Sequence, residues 1–316
     1  MSDPWWEQLS RARDQIGAFV HRTPVMTCAA IDRVSENTVF FKCENLQRTG
    51  SFKFRGALNA ILSLSPEESA RGVITHSSGN HAQAVALAAK LHGVRSFVVI
   101  PQDAPRVKRE ATEDYGATII LCEPTYASRE QTATRIIKET GAVFVDSHDD
   151  VGVIVGQGTA AVELIEEAGP LDLLLVPVGG GGLLAGTAIA AAHLFPRAKV
   201  IGCEPAGADD AYQSFKSGKR ITKFTPRTIA DGLRTPLGVS NFEIIRKRVH
   251  DIVRVSEEEI LRAMRFIWER MKLVIEPSSA VAVAPLLNRS LGVIGKRVGV
   301  ILSGGNVDLD RFFQLF

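Results

Sequence analysis

Apolar and polar positions alternate along this chain in short blocks that predict a repeated strand–helix order. Four runs rich in β-branched and aromatic residues predict buried strands at residues 73–75, 97–100, 118–121 and 143–145. The segments between them have helical spacing, at about residues 80–92, 105–115 and 127–140, and a glycine follows each one. Strands and helices that alternate in this way are typical of an α/β fold.

A second series of the same kind follows. Its predicted strands lie at 171–178, 199–203, 252–255 and 298–302. Its predicted helices lie at 158–168, 183–195, 209–217, 241–248, 256–271 and 277–288. The N-terminal part adds a helix at 6–20, a strand at 39–43 and a helix within 51–64. We expect a small domain of residues 71–149 inserted into a larger one made of residues 1–70 and 150–316, with a ligand bound in the cleft between them.

Four consecutive glycines separate a predicted strand from a predicted helix in VPVGGGGLLAG: Gly179, Gly180, Gly181 and Gly182. Each glycine costs conformational entropy on folding, so a run of four is hard to explain by folding alone. Bare backbone N–H groups at a helix N-terminus bind anions well. We therefore predict a phosphate cradle at this point, and the alternative is a mobile connecting loop.

Two further stretches of small polar residues follow predicted strands. HSSGNH, at residues 76–81, leads into a helix and predicts either a second anion site, suited to a carboxylate, or an ordinary N-cap. SGGN, at residues 303–306, has the same character after the last strand. Parallel strands place both stretches at the edge where ligands of α/β proteins bind.

Lys53 in SFKFRG is the candidate nucleophile, because it lies between two phenylalanines that would lower its pKa. The alternative is a surface lysine whose stem covers apolar neighbours. The glycine run does not form a dinucleotide fingerprint or a P-loop, and the chain contains no HExxH or GxSxG motif. A phosphate site, a carboxylate site and an amine nucleophile together indicate a phosphorylated aldehyde cofactor held as a Schiff base.

Composition and charge limit the classes of partner that we expect for this protein. The 316 residues carry a formal net charge of +2, with both signs mixed along the chain, so we expect no nucleic-acid partner. Residues 173–195 carry no charge and are long enough to span a bilayer, but Pro177 and the glycines in their middle argue against a membrane partner. The four cysteines show no CxxC spacing, which favours a reducing, cytoplasmic setting: Cys28, Cys43, Cys122 and Cys203.

Four motifs in one order, SFKFRGA, HSSGNHAQAVALAAK, VPVGGGGLLAG and ILSGGN, resemble the β-family (fold type II) of pyridoxal-phosphate enzymes. Within that family the chain is similar to serine racemases and to serine, threonine and threo-3-hydroxyaspartate dehydratases. The resemblance implies a tryptophan synthase β-like fold. Such a fold has two open, twisted, mostly parallel sheets flanked by helices, with the active site in the inter-domain cleft. It also implies a homodimer.

The resemblance assigns roles around the cofactor. Lys53 would be the Schiff-base lysine and the base on one face of the cofactor, with Phe52 stacked on the ring. Asn80 would bond the 3′-hydroxyl, Ser303 would face the pyridine nitrogen, and Gly179 to Gly182 would hold the phosphate.

The resemblance also assigns the substrate and metal sites. The substrate carboxylate would be surrounded by residues of one turn: Ser77, Ser78, Asn80 and His81. Glu204, the carbonyl of Ala208, and Asp210 would bind a divalent cation, Mg²⁺ or Mn²⁺. Considered without the resemblance, acidic residues near a helix start are ordinary caps.

Three positions bear on the reaction itself. Ser78 occupies a position that is alanine in many threonine dehydratases and serine in serine racemases and eukaryotic-type hydroxyaspartate dehydratases. Its hydroxyl would return a proton on the face opposite Lys53, and a serine at this position also suits dehydration. Arg129 would contact a β-carboxylate, or serve a structural role on its helix. His148 departs from the racemase pattern, in which asparagine is usual. The resemblance therefore implies an ammonia-lyase that acts on serine, threonine or threo-3-hydroxyaspartate. The alternatives are a serine racemase with dehydratase side activity and, more distantly, a catalytically silent pyridoxal-phosphate-binding protein.

Overall fold

In the computed structural model, which describes residues 3–104 and 106–308, ten strands form two separate sheets. The strands are β1 (Val25–Met26), β2 (Thr38–Cys43), β3 (Val73–His76), β4 (Ser96–Pro101), β5 (Thr118–Cys122), β6 (Val143–Phe144), β7 (Leu173–Pro177), β8 (Lys199–Pro205), β9 (Asp251–Val255) and β10 (Arg297–Leu302).

The α-helices that flank the sheets are, in chain order, α1 (Pro4–Ile16), α2 (Ala29–Ser35), α3 (Lys53–Leu62), α4 (Pro66–Arg71), α5 (Asn80–Leu91), α6 (Arg106–Asp114), α7 (Tyr126–Thr140), α8 (Val151–Ala168), α9 (Gly182–Leu194), α10 (Asp210–Ser217), α11 (Val239–Arg248), α12 (Glu257–Met271), α13 (Pro277–Ala280) and α14 (Ala284–Leu287). Short 3₁₀ turns lie at Glu44–Leu46, Arg48–Gly50, Ala206–Ala208 and Asp231–Leu233. Among the described residues, no helix combines the length and the apolar character that crossing a bilayer requires.

The larger sheet has the order β1-β2-β10-β7-β8-β9, and only the edge strand β1 runs antiparallel to its neighbour. Its central strand, β10, pairs with β2 on one side and with β7 on the other. The smaller sheet has the order β5-β4-β3-β6 and is parallel throughout. The predicted α/β class, with two mostly parallel sheets flanked by helices, is confirmed.

The predicted helix at 277–288 is instead two short helices, α13 and α14. Pro285 lies at the start of α14, and a proline inside a helix removes one N–H donor and clashes with the preceding turn. The apolar periodicity continues across this break because both pieces bury their side chains in the same core.

Helices α8 and α9 pack backbone against backbone, which fixes the glycine loop that precedes α9. A Cβ atom on Gly186 would lie 2.5 Å from the carbonyl oxygen of Ile154 and 2.6 Å from the nitrogen of Gly158. Both helices are therefore buried along almost their whole length. Strand β7, which leads into the loop, is also buried throughout.

A buried network of charges joins α3 to the larger sheet. The guanidinium of Arg55 contacts Glu44 at 2.7 Å and Glu163 at 2.8 Å, and Lys42 contacts Glu163 at 2.6 Å. The side chains of Arg55, Glu44 and Lys42 are fully buried. Two cations balance two carboxylates, which is the arrangement that buried charges require. The network therefore fixes α3 at Arg55, two residues after Lys53.

We expect Gly186→Ala to destabilise the protein by about 2 kcal/mol, because the added methyl group separates α8 from α9. This loss exceeds the roughly 1 kcal/mol that alanine gains over glycine in a helix. Urea denaturation measures the free energy of unfolding. Gly17→Ala is the control, since Gly17 is exposed and has helical φ, and we expect a change within about 0.5 kcal/mol. Equal stabilities for both variants would contradict the packing described here.

Candidate active site

The predicted site residues lie at the carboxyl ends of strands from both sheets. Strand β3 ends at His76 and is followed by the turn that starts α5. In the larger sheet, β7 leads into the glycine loop and β10 leads into Ser303. Loops at these ends are where α/β sheets bind ligands.

Lys53, the first residue of α3, bridges the two sheets. The N–H of Phe52 donates to the carbonyl of Ser303 at 3.0 Å, so the start of α3 is tied to the end of β10. The Lys53 Nζ donates to the carbonyl of Ser147 at 2.5 Å, in the loop after β6. It also lies 5.2 Å from the centroid of the Phe52 ring. The lysine thus faces the space between the two sheet edges.

Burial lowers the pKa of Lys53 to about 8, while the negative charges of Asp146 and Glu276 act in the opposite direction. An exposed lysine has a pKa near 10.4. At neutral pH a much larger fraction of Lys53 is therefore the free amine, which is the form that acts as nucleophile and base. The choice of Lys53 as the nucleophile stays a prediction, and its lowered pKa supports that choice.

The glycine loop packs closely against neighbouring segments at the positions where a side chain would project. A Cβ atom on Gly179 would lie 2.8 Å from the Cα of Leu233, and one on Gly180 would lie 2.3 Å from the His148 ring. Gly181 has a φ of +96°, in the left-handed region that favours glycine. Within the described residues, the N–H groups of Gly179, Gly180 and Gly181 have no acceptor. The loop combines a tight backbone with free donors, which is the requirement for an anion cradle.

Asn241 holds this loop in place. Its amide donates to the carbonyl of Gly180 at 2.8 Å and to the carbonyl of His148 at 2.7 Å. The N–H of Gly238 also donates to the carbonyl of Gly180, at 3.1 Å. The loop is therefore anchored to α11 and to the loop that follows β6.

Asn80, at the start of α5, is held by residues that precede α13 and follow β10. Its amide nitrogen lies 2.9 and 3.1 Å from the two carboxylate oxygens of Glu276. Its amide oxygen accepts from Asn306 at 2.9 Å, and Asn306 also donates to the carbonyl of Thr49 at 2.7 Å. These bonds place Asn80 beside the segment that leads to Lys53.

Ser303 is buried, and its hydroxyl lies 3.1 Å from the hydroxyl of Ser279. Ser279 donates to the carbonyl of Gly304 and accepts from the N–H of Gly304, both at 2.7 Å. Two uncharged serine side chains thus lie in contact just after the end of β10.

The HSSGNH turn places its members differently. Ser77 accepts from the N–H of Gly79 at 3.3 Å, and Ser78 is half-buried. His81 is buried, and its Nε2 lies 3.1 Å from the carbonyl of Val145. Burial, aided by the positive charge of Lys53, lowers the pKa of His81 to about 3, so this ring is neutral at physiological pH. Its main-chain N–H belongs to the first turn of α5, where donors have no partner within the helix.

Arg129 lies near the start of α7. Within the described residues, no hydrogen bond joins its side chain to Lys53, Asn80 or Ser303. Its Nε is buried, and it lacks a partner in that part of the chain. Its charge lowers the pKa of the Cys122 thiol, whereas burial raises that pKa and has the larger effect. Arg129 therefore lies close to the end of β5.

Glu204 and Asp210 form a separate acidic pair after β8. Glu204 is fully buried and accepts from the N–H groups of Ala211 at 2.9 Å and Tyr212 at 2.7 Å. Asp210 accepts from the N–H of Leu237 at 3.2 Å, and its other oxygen is buried without a partner in the described chain. Burial raises the pKa of Glu204 to about 9 and that of Asp210 to about 7. The described residues contain no cluster of three or more His, Cys, Asp or Glu that could hold a metal.

Four residues that shape the site could not be identified from the sequence: Asp146, Ser147, Glu276 and Ser279. Asn306 lies in the SGGN stretch, but its contact with Asn80 could not be predicted. The only signals were a single glutamate before Pro277 in an apolar segment and the position of SGGN after a strand. Their partners are distant along the chain, as in the pair Asn80–Glu276, which is separated by 196 positions.

Comparison with known proteins identifies the family. A family model described as "Pyridoxal-phosphate dependent enzyme" matches residues 16–304. The chain belongs to this family. The predicted family and the prediction of an enzyme are thereby confirmed.

Relatives of this pyridoxal-phosphate enzyme align along nearly its whole length. Serine racemase from Dictyostelium discoideum is 47% identical over 98% of this chain and 97% of its own. Its crystal structure superposes with a TM-score of 0.92 at 46% identity, covering 96% of this chain and 98% of that one. L-threo-3-hydroxyaspartate ammonia-lyase from Saccharomyces cerevisiae is 47% identical over 99% of this chain and 96% of its own. The structure of threonine deaminase isoform 2 from Solanum lycopersicum has a TM-score of 0.95 at 30% identity, covering 100% of this chain and 93% of that one.

We expect Lys53 to react with an aldehyde at a lower pH than ordinary lysines. When the cofactor-free protein is treated with pyridoxal and cyanoborohydride, labelling of Lys53 should rise with pH around a midpoint of about 8. Mass spectrometry of the peptide measures it. Glu276→Gln should move the midpoint to lower pH, because the Glu276 charge raises the pKa of Lys53. Lys53→Arg is the control for site identity, and a midpoint near 10 in the wild type would contradict the burial of this amine.

Proposed function

We propose that this pyridoxal-phosphate enzyme is an ammonia-lyase for a β-hydroxy amino acid. Its substrates would be L-serine, L-threonine or threo-3-hydroxyaspartate, and its products a 2-oxo acid and ammonia. The observation that carries the proposal is Lys53, an amine with a lowered pKa that faces both sheet edges. Identity of 47% with a protein named L-threo-3-hydroxyaspartate ammonia-lyase supports the reaction class.

The described residues fit the cofactor. The unpartnered N–H groups of Gly179 to Gly181 would receive its phosphate, and a side chain on Gly180 would collide with His148. Phe52 and Ser303, joined through the backbone, would contact the ring, and Asn80 would bond its 3′-hydroxyl. When bound, pyridoxal phosphate supplies a carbonyl carbon for an amine and a ring that withdraws electrons from Cα.

The chain's own residues supply binding and proton transfer. The main-chain N–H groups at the start of α5, with Ser77 and Ser78, would bind the substrate carboxylate, since a helix N-terminus favours an anion. Lys53, as the free amine, would remove the proton from Cα. Arg129, with its buried unpaired Nε, would receive the second carboxylate of threo-3-hydroxyaspartate.

A racemase is the second candidate, and one residue favours it. Ser78 carries a half-buried hydroxyl in the turn that would hold the substrate carboxylate. From the face opposite Lys53, this hydroxyl would return the proton with inversion. The serine racemase of Dictyostelium discoideum is as similar to this chain as the yeast ammonia-lyase is. A catalytically silent pyridoxal-phosphate-binding protein is the remaining alternative, and the lowered pKa of Lys53 speaks against it.

We also propose that Glu204, Asp210 and the carbonyl of Ala208 bind Mg²⁺ or Mn²⁺. Oxygen ligands suit these cations, and the second oxygen of Asp210 is a buried acceptor without a donor in the described chain. The two carboxylates lie at the end of β8 and the start of α10, with the Ala206–Ala208 turn between them.

Domain organisation, assembly and location remain proposals. The smaller sheet uses only strands from residues 73–144, which supports a small domain of residues 71–149 closing over the site. A homodimer rests on the family resemblance. A cytoplasmic location is supported by four free cysteines, all buried.

The decisive assay incubates the holoenzyme with L-serine, D-serine, L-threonine and threo-3-hydroxyaspartate and measures oxo acid and enantiomer ratio together. We expect oxo acid from at least one substrate and a loss of more than about 1,000-fold in Lys53→Ala. Ser78→Ala should abolish exchange between L- and D-serine while leaving elimination from the L-substrate. Full oxo-acid formation by Lys53→Ala would overturn the proposed function, and retained exchange in Ser78→Ala would overturn the role of Ser78.

Removing the divalent cation should lower thermal stability. A cation at a hundredfold excess over its Kd stabilises the folded state by about 2.7 kcal/mol, so chelation followed by Mg²⁺ or Mn²⁺ should lower and then restore the Tm. Asp210→Asn keeps the size of the side chain but removes its charge, and should abolish the response. A Tm that chelation leaves unchanged would sink the proposed cation site.

A further inference from the structure

Asp146, Ser147 and His148, in the loop after β6, place a second acid–base group beside Lys53. The Nδ1 of His148 lies 2.8 Å from the hydroxyl of Ser147 and 3.4 Å from a carboxylate oxygen of Asp146. The main-chain N–H of His148 donates to the same Asp146 oxygen at 2.8 Å. The His148 side chain is 17% exposed. One side of the imidazole is therefore held by a hydroxyl and a carboxylate.

The ring also packs against the glycine loop. It packs so closely against Gly180 that a Cβ there would lie 2.3 Å from its Cγ. The carbonyl of His148 accepts from Asn241 at 2.7 Å. Over residues 3–104 and 106–308, the Nε2 of His148 forms no hydrogen bond with the protein. The imidazole is thus preorganised, and one nitrogen remains available.

The surroundings select the form of the neutral ring. The negative charge of Asp146, 3.4 Å from Nδ1, favours the tautomer of neutral His148 that has its proton on Nδ1, and that N–H then donates to the Ser147 hydroxyl. Nε2 then carries the lone pair and acts as a base. This is the arrangement in which a carboxylate orients a histidine for proton transfer.

The position of Lys53 shows where a substrate amine arrives. Lys53 donates to the carbonyl of Ser147, one residue before His148. A substrate amine that took the place of the Lys53 amine would lie near this same carbonyl. Amino acids carry a protonated α-ammonium at neutral pH. An ammonium has no lone pair and cannot act as a nucleophile, so a base must first remove one proton.

We propose that His148 is this base and that its Nε2 takes one proton from the substrate α-ammonium. The N–H bond breaks, its electron pair stays on the amine, and the resulting imidazolium is stabilised by the Asp146 carboxylate. The proposal rests on the proposed function, because it requires an amino acid substrate. It makes His148 a catalytic residue.

Five ionisable side chains act on or lie near this ring: Asp146, Asp149, Lys53, His76 and His81. Burial lowers the pKa of His148 below 6.5, and Lys53 and His76 act in the same direction. The two aspartates oppose this effect, and His81 is neutral. The pKa of His148 therefore leaves the ring uncharged at pH 7 and ready to accept a proton.

The test compares the pH dependence of kcat/KM for wild-type holoenzyme, His148→Asn and His250→Asn. The wild type should lose activity as pH falls through the pKa of His148. His148→Asn should be about 100-fold slower at pH 7. Its rate should then rise about tenfold per pH unit, because it depends on substrate that is already deprotonated. His250 is an exposed histidine before β9, so His250→Asn should match the wild type.

A second variant and a second readout guard against misfolding. Asp146→Asn keeps an oxygen for the N–H groups of His148 and Asp149, and should move the acid limb of the profile to lower pH. In ¹⁵N-histidine NMR spectra of the cofactor-free protein, the signal missing from His148→Asn should report an Nδ1–H tautomer at pH 7. An Nε2–H tautomer, an imidazolium, or a profile unchanged by His148→Asn overturns the proposal. A wild type that forms no oxo acid from any substrate overturns the proposed function instead.

Discussion

The buried network around Arg55 is the constraint on which the site depends. Arg55 is two residues from Lys53 on α3, and it holds Glu44 after β2 and Glu163 on α8. Leaving any of these charges unpaired in the interior would cost about 3–5 kcal/mol. The three elements can therefore shift only together. The lysine proposed as nucleophile and base is thus positioned by residues that have no proposed part in the reaction.

Two cationic side chains on the same turn of α3 have pKa values shifted in opposite directions. Arg55 is enclosed by two carboxylates, which raise its pKa although burial alone would lower it. Lys53 has no carboxylate in direct contact among the described residues, and burial lowers its pKa to about 8. A fixed charge gives rigidity, and a lysine that can lose its proton gives reactivity. The difference depends on the neighbours, since both side chains lie on the same helix.

Local features of the sequence were enough to single out Lys53, the glycine run and the α/β class, because strand and helix periodicity and glycine content are local properties. The partners of these residues could not be found in that way. Ser147 and Glu276 meet Lys53 and Asn80 only through the fold, across 94 and 196 positions. The glycine run was predicted to bind an anion. The structure adds a steric reason for glycine at position 180, because a side chain there would collide with the His148 ring. The break between α13 and α14 could not be predicted, because apolar residues continue across it and are buried on both sides.

The position of β10 has a consequence for biosynthesis. The strand lies between β2 and β7, yet it is the last described strand to leave the ribosome. Until then β2 and β7 each have an edge whose main-chain N–H and C=O groups lack a partner, whereas the smaller sheet can already assemble from residues 73–144. Long-range pairing of this kind folds slowly and leaves a newly made chain open to aggregation. We therefore expect the nascent protein to depend on chaperones until β10 has been translated.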